Sequence, residues 1–462
     1  MPTQCNAEQL EFAGVGRRRV VAAFDGGCVT SDAGALLLKR TDEAIGLIDR
    51  VADCFVDGRL KPLVEHTTRT LVGQRLFGLA LGYEDLNDHD ELRRDPLFGV
   101  LVGKLEAKRR DCEALAGKST LNRLELYPRA GFTPYHKIVP DSEALERLFV
   151  ELFLDSYARA PRKIVLDLDA TDVALHGEQE HRFFHGYYDH YCYLPLYIYC
   201  GRQLLCAKLR PANIDGAAGA EEELTRIVNQ IRARWPKTRI ILRADSGFAR
   251  DALMRWCEEQ VPCIDYVFGL AKNARLKRMI GSELHQAEEL CAASGHSRRL
   301  FKELLYRTRK SWSCQRRVVA KAEATPKGPN PRFIVTSLSV KELPGRALYE
   351  KFYCARGDAE NRIKECQLDM FGDRLSANLM RVNQLRLWFA SFAYVLLESL
   401  RRLALAKTQL ARASAGTIRL KLLKIGATVR TSVRRVKLGM SSAHPYQTEF
   451  RAAFDALNAA AR

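Results

Sequence analysis

The residues of this sequence whose type and spacing could do chemistry are acids at the ends of apolar runs. Ile164-Val165-Leu166-Asp167-Leu168-Asp169-Ala170-Thr171 alternates carboxylates with aliphatic residues, and the run Arg239 to Ala244 ends on Asp245 before Ser246-Gly247. Both read as strands. An acid at the carboxyl end of a parallel strand points into the crevice where open α/β sheets bind ligands. Asp167 and Asp169 share a strand face by period-two alternation, so either could stand beside Asp245. Carboxylates converging from separate elements can hold two divalent ions roughly 4 Å apart, the arrangement that drives displacement at phosphorus. Hard carboxylate oxygens suit Mg²⁺. A third acid must come from another element.

The stretch from Leu348 to Met370 supplies a candidate. At 3.6 residues per turn, Tyr353, Arg356, Glu360, Lys364 and Gln367 fall within an arc of about 80°. Phe352, Ala355, Ala359, Ile363 and Cys366 fall on the other side. Such a helix packs by its apolar side and turns Glu360 toward the strand-end acids. The plainer alternatives are a solvated Glu360 paired with Arg356 or Lys364, and an Asp245 that only accepts turn amides.

The elements that must position these residues give an α/β reading. Residues 30–155 are mostly helical, with amphipathic runs at Asp32–Asp49 and Thr67–Leu81. Beyond Pro161 strands begin at Ile164, continue in Tyr191–Cys200 and Gln203–Leu209, and lead to a helix at Ala220–Trp235. The Asp245 strand, a helix at Arg250–Gln260 and a strand at Tyr266–Ala271 follow. Three strands, helix, strand, helix, strand is the order of a ribonuclease-H-like domain with a mixed sheet. Residues 273–343 read as an irregular, basic, β-rich insertion, with pieces at Arg317–Ala322 and Arg332–Leu338. An apolar helix spans about Asn378–Leu405. The expected division is 1–158 as a mainly helical N-terminal module with a possible DNA-binding role, 159–272 and 344–398 as the two parts of the core, 273–343 as the insertion, and 399–462 as a basic C-terminal module for DNA binding or dimerisation.

The pattern Tyr353-x-x-Arg356-x-x-x-Glu360 resembles the Tyr-Arg-Glu-Lys signature of bacterial insertion-sequence DDE transposases, and Asp169-x-Thr171 with strand-terminal Asp245 is similar to that family's first two acids. The stretch 273–343 also resembles its strand-rich insertion. The resemblance covers roughly residues 160–370 and favours Asp169 over Asp167. It implies Asp169, Asp245 and Glu360 as catalytic metal ligands for two Mg²⁺ ions, with Mn²⁺ as a substitute. It further implies nicking at transposon ends and joining of the freed 3′-hydroxyl to target DNA. Tyr353, Arg356 and Lys364 would position phosphates. The signature lysine falls at Gln367, a neutral amide, and Lys364 one turn past Glu360 is the candidate to replace it.

Composition agrees with a polyanionic partner. The chain of 462 residues carries 73 Lys and Arg against 55 Asp and Glu, a formal charge of +18, which favours nucleic acid ahead of an anionic membrane surface; the resemblance implies that this nucleic acid is double-stranded DNA. From Leu400 onward thirteen basic residues face two acids, and Arg430, Arg434, Arg435 and Lys437 are the expected phosphate contacts. Trp312, among Arg307, Arg309, Lys310, Arg316 and Arg317, reads either as a core ring of the insertion or as a platform for a displaced base. The histidines of His176–His190 fit no familiar zinc spacing, and DNA contact or packing of Phe183, Phe184, Tyr187 and Tyr188 is expected there. Thirteen cysteines without a Cys-x-x-Cys pair read as mostly buried thiols. With no signal pattern or long apolar run, the expectation is a cytoplasmic, nucleoid-associated protein without membrane contact, acting as a homodimer or larger assembly on DNA. The rival readings are a stand-alone metal-dependent nuclease and an inactive DNA-binding relative.

Overall fold

The computed structural model describes residues 9–129 and 131–460. Asp141–Ser391 form one compact unit, and the described parts of Met1–Pro140 and Phe392–Arg462 form the other.

The first of these units is built on a nine-stranded mixed sheet. Its strands are β1 (Lys163–Ala170), β2 (Leu196–Cys200), β3 (Gln203–Lys208), β4 (Arg239–Ala244), β5 (Asp265–Leu270), β6 (Arg298–Tyr306), β7 (Arg316–Thr325) and β8 (Arg332–Thr336), in the spatial order β3-β2-β1-β4-β5-β8-β7-β6. A two-residue strand, Gly328–Pro329, pairs with β7. The neighbours that pair in parallel are β1 with β4 and β4 with β5; β2 is antiparallel to β1, and β8 to β5.

Alternation along the strands assigns the two faces. Leu166, Leu168, Ile240, Leu242, Tyr266, Phe268, Val318 and Val335 pack in the larger core with helices α1 (Ser142–Asp155), α2 (Ala220–Arg234) and α3 (Asp251–Glu259). The residues between them, Ile241, Val267, Val319 and Ile334, turn to the other face and meet Leu348, Tyr349, Phe352 and Tyr353. Burial on both faces explains why β1 and β4 read as nearly continuous apolar runs. The acids of β1 interrupt that run only on the second face.

Three expectations are corrected here. Residues 273–343 contain the expected strand pieces but are regular rather than irregular. Helices Ala274–Met279 and Gly281–Ser294 begin the stretch, and β6–β8 continue the main sheet through the β5–β8 pairing. The pairing gives the edge of β5 backbone partners that it would otherwise lack. The helix Gly281–Ser294 escaped notice because it buries only Ala287 and Cys291 and carries no apolar stripe. Second, the run Tyr191–Cys200 is two strands: His190–Tyr193 pairs in a small separate sheet, and β2 starts after Pro195, which has no amide to donate. Third, the segment after Leu348 is helical but irregular. Wide π turns at Leu348–Tyr353 and Glu365–Asp369 bracket a 3₁₀ turn, Cys354–Arg356, and an α-helical stretch, Gly357–Lys364. Such π turns concentrate at functional sites.

In the other unit, Thr68–Leu81 is capped by the Thr67 hydroxyl, which accepts from the Thr70 amide at 3.1 Å, and it ends on Gly82 at φ +97°. Its Arg75 pairs with the fully buried Glu125 at 2.9 Å. The hairpin Ala427–Ser432/Arg435–Met440 pairs with Val29–Thr30. A second hairpin, Leu10–Val15/Arg18–Ala22, carries Arg18 and Arg19. No helix among the described residues is long and apolar enough to cross a membrane.

Candidate active site

Parallel register brings the first two acids together. Ala244 of β4 pairs with Leu168 of β1, so Asp245 and Asp169 follow side by side where the two strands end. Asp245 then caps the turn Ser246–Phe248, with Oδ1 accepting the Gly247 amide at 2.9 Å. The turn-amide bond expected of an ordinary strand-end acid is therefore present, and it uses one carboxylate oxygen.

The irregular helical segment delivers the rest. Asp169, Asp245, Arg356, Glu360, Lys364 and Gln367 line one pocket of about 570 Å³. Arg356 donates to Asp169 Oδ2 at 3.3 Å through Nη1 and to Glu360 Oε1 at 2.6 Å through Nη2. The helix pair expected of a solvated Glu360 thus exists, but it is part of a bridge between two acids. Burial pushes the Asp169 carboxyl up to about 7; the Arg356 charge opposes this, and those of Asp245 and Glu360 add to it. Burial pulls the Arg356 guanidinium down, and the carboxylates of Asp169 and Glu360 more than reverse that, leaving it raised.

Asp167 has another task. Its side chain is almost wholly buried and takes a two-point grip from Arg243, with Nη2 to Oδ2 at 2.8 Å. Occupied in this way, it does not line the pocket. Tyr353 also lies outside the pocket wall, half-buried between Tyr349 and the backbone of Gly269. Trp312 is placed in the core, 7% exposed, with its edge against Tyr306 at 5.6 Å and the Arg316 guanidinium at 5.7 Å. This corrects the base-platform reading: the ring fills the large core instead of facing DNA. Arg430, Arg434, Arg435 and Lys437 are exposed on the hairpin of the other unit.

One contribution was not read from the sequence. A β-carbon on Gly269 would meet the Tyr353 hydroxyl at 2.5 Å, the Ser246 amide at 2.8 Å and the Asp245 carbonyl carbon at 3.1 Å. Only glycine permits that approach, and an interior strand glycine was the available signal. Gly269→Ala is expected to displace Tyr353 and the Asp245 turn. A misplacement near 1 Å can cost on the order of 10²-fold in rate. Catalysis at the wild-type rate in this variant, with folding verified by circular dichroism, would remove Gly269 from the positioning machinery. In the stretch expected to contact DNA or pack its aromatics, His185, Tyr187 and Tyr188 form one wall of the pocket, on the hairpin Phe183–His185/His190–Tyr193.

All three acids offer hard oxygen donors, which suits a divalent ion. Among the described residues, however, no three His, Cys, Asp or Glu side chains surround a common point. The Arg356 guanidinium lies between Asp169 and Glu360, so closing the donors around an ion requires that arginine to give way.

An acid pocket at the carboxyl ends of adjacent parallel strands, completed by a helix acid, is an arrangement that can serve phosphoryl transfer once divalent ions are bound. The chain belongs to the transposase DDE domain group 1 family, whose model matches residues 12–462, a family of DNA transposases that depend on divalent metal. Among solved structures, it is similar to a piggyBac transposase synaptic complex with hairpin DNA, at 13% identity and a TM-score of 0.41, over 85% of this chain and 79% of that one. No curated protein matches the sequence.

Proposed function

We propose that the chain cleaves the inverted-repeat ends of a bacterial insertion sequence and joins them to target DNA, with Asp169, Asp245 and Glu360 holding two Mg²⁺ ions. The observation that carries this reading is the convergence of the three acids, from β1, β4 and the helical segment, on one pocket. The order β3-β2-β1-β4-β5, with β2 antiparallel, supports a ribonuclease-H-like core.

The reaction is a pair of displacements at phosphorus. A water oxygen replaces the 3′-oxygen at the element end, and the freed 3′-hydroxyl then replaces a 3′-oxygen in the target. When bound, the ions would activate the attacking oxygen and stabilise the leaving one. Arg356 and Lys364 place positive charge beside the phosphate, and Tyr353 braces Arg356 from behind. Residues 399–462 serve DNA contact or dimerisation in an assembly on DNA. There Arg430 directly opposes Lys437 across the hairpin. Like charges so placed repel, and a phosphate backbone laid along them relieves the repulsion.

The test uses purified protein, a labelled duplex carrying the terminal repeat that brackets its gene, and a target plasmid, with Mg²⁺ or with EDTA. Metal-dependent cleavage followed by strand joining is expected. Cleavage without joining, and without preference for the repeat, would instead indicate a stand-alone nuclease. Binding without cleavage would indicate an inactive relative.

A further inference from the structure

The hairpin Ala427–Ser432/Arg435–Met440 divides its residues between two unlike faces. Val429, Leu438 and Met440 turn inward, the last two packing with Ile425 and Ala427. The residues between them lie exposed on the outward face, where Arg430 opposes Lys437 and Ser432 opposes Arg435. From Ala427 to Met440 the hairpin holds four basic residues and no acid. None of the four has an ion-pair partner among the described residues. The turn itself is Val433-Arg434, and Val433 is fully exposed. Two-residue hairpin turns favour asparagine and glycine, whose backbones reach the required angles most easily. A β-branched valine at that place does nothing for the turn.

One solvated valine set among four cations suits a partner that is anionic at its rim and apolar within. Duplex DNA has that form, with phosphates along both edges of a groove and stacked base pairs at its floor. Packing of the inward face leaves only the turn free to enter a groove. A whole two-stranded ribbon fills the major groove, about 12 Å wide, whereas a lone turn matches the minor groove, about 6 Å wide. An anionic membrane is the weaker match, because a single valine offers little apolar area to bury alongside the charge. Thr431, Ser432 and Val433 also border a groove in which Arg93, Arg94 and Lys104 are matched by Asp95, Glu106 and Glu113. That mixed surface selects no anion, so the attraction comes from the outward face and the tip.

We infer that the turn enters the minor groove of the terminal-repeat duplex, wedges Val433 between two base pairs and bends the DNA, with Arg430, Arg434, Arg435 and Lys437 on the flanking phosphates. The inference rests on the DNA reading above and specifies the groove and the deformation. Apolar side chains wedged from the minor groove unstack a base step and kink the duplex by roughly 20–90° toward the major groove. The cationic ladder behind the wedge offsets that cost by drawing in the phosphates on either side.

The experiment compares the full chain with Val433→Ser, Val433→Leu, Arg435→Gln and Lys437→Gln on the terminal-repeat duplex carrying a fluorescent dye at each end. Val433 touches no core, so its substitutions leave the fold intact. Energy transfer between the dyes reports the bend, filter binding reports affinity, and dimethyl sulfate reports the groove, since it methylates adenine N3 in the minor groove and guanine N7 in the major groove. The parent is expected to bend the duplex and to protect adenine N3. Val433→Ser should lose most of the bend and that protection while binding within roughly 10-fold of the parent, because the phosphate contacts remain. Val433→Leu should keep the bend. Arg435→Gln and Lys437→Gln should each lower the slope of log affinity against log salt by about 0.9, with the bend retained in the complexes that form. Leu420→Ser, which removes an exposed apolar side chain elsewhere in the same unit, should change neither readout. An unaltered bend in Val433→Ser, an equal loss in Leu420→Ser, protection of guanine N7 in place of adenine N3, or binding of the parent to phosphatidylserine vesicles and not to the duplex would each overturn the proposal. A parent that cleaves the terminal repeat without bending it overturns this proposal alone. One that binds and bends the duplex without cutting it overturns the cleavage reading alone.

Discussion

Asp245→Asn is expected to reduce cleavage of element ends by on the order of 10³-fold or more, while leaving the protein folded. The substitution changes little except charge. The side-chain amide still offers an oxygen to the Gly247 amide, the 2.9 Å bond that shapes the turn after β4. It removes one of the negative oxygens that the pocket presents beside Asp169 and Glu360. Stabilisation of transition-state charge by a bound divalent ion is worth several kcal/mol, and each 1.36 kcal/mol is tenfold in rate. Loss of a ligand charge should appear in the rate of chemistry more than in DNA affinity, because removing an acid weakens repulsion of the phosphate. Single-turnover cleavage with saturating protein, alongside a filter-binding measurement, separates the two. A variant that cut at the parent rate would remove Asp245 from the ligand set and the triad assignment with it.

The three acids were legible because each obeys a local rule. Asp169 and Asp245 end apolar strands, and Glu360 lies on the polar side of an otherwise packable helix. What local rules could not show is which acid is already engaged. Asp167 and Asp169 are equivalent by alternation, and they are separated only by Arg243, which lies 76 positions away in the chain and next to Asp167 in space. The same limit hid the regular structure of 273–343 and its pairing with the main sheet. A strand that pairs with β5 only after two helices and another hairpin looks, in sequence, like an excursion. Trp312 stayed open between a core ring and a base platform for a related reason: the basic residues around it suggested DNA, yet Arg316 among them is held by Asp251 and Glu258. Gly269 depends on contacts between distant elements, so composition and periodicity could mark it only faintly.

The Asp167–Arg243 pair is where the structural and catalytic roles of neighbouring acids can be told apart, and Arg243→Met is expected to destabilise the protein by about 3–5 kcal/mol at pH 8. Both side chains are at least nine-tenths buried, and Arg243 also donates to the Phe352 carbonyl and lies over the Phe352 ring at 5.4 Å. One guanidinium therefore neutralises an acid of β1 and ties the sheet to the segment that carries Glu360. Burial already holds the Asp167 carboxyl above its ordinary range against the pull of Arg243. Removing the arginine raises it further. A carboxyl whose pKa is higher folded than unfolded contributes stability that is full at low pH and is lost as pH rises through the folded value. The variant should therefore be closer to the parent at pH 5 than at pH 8. Replacing both partners by apolar side chains, Asp167→Leu with Arg243→Met, should recover much of the loss, because no charge is then left buried. Urea denaturation at the two pH values tests all three statements. Equal stability of Arg243→Met and the parent at pH 8 would mean that the pair does not hold β1 and β4 as described. If the double variant recovers stability and retains measurable metal-dependent cleavage, Asp167 is structural, and the metal ligand on β1 is Asp169.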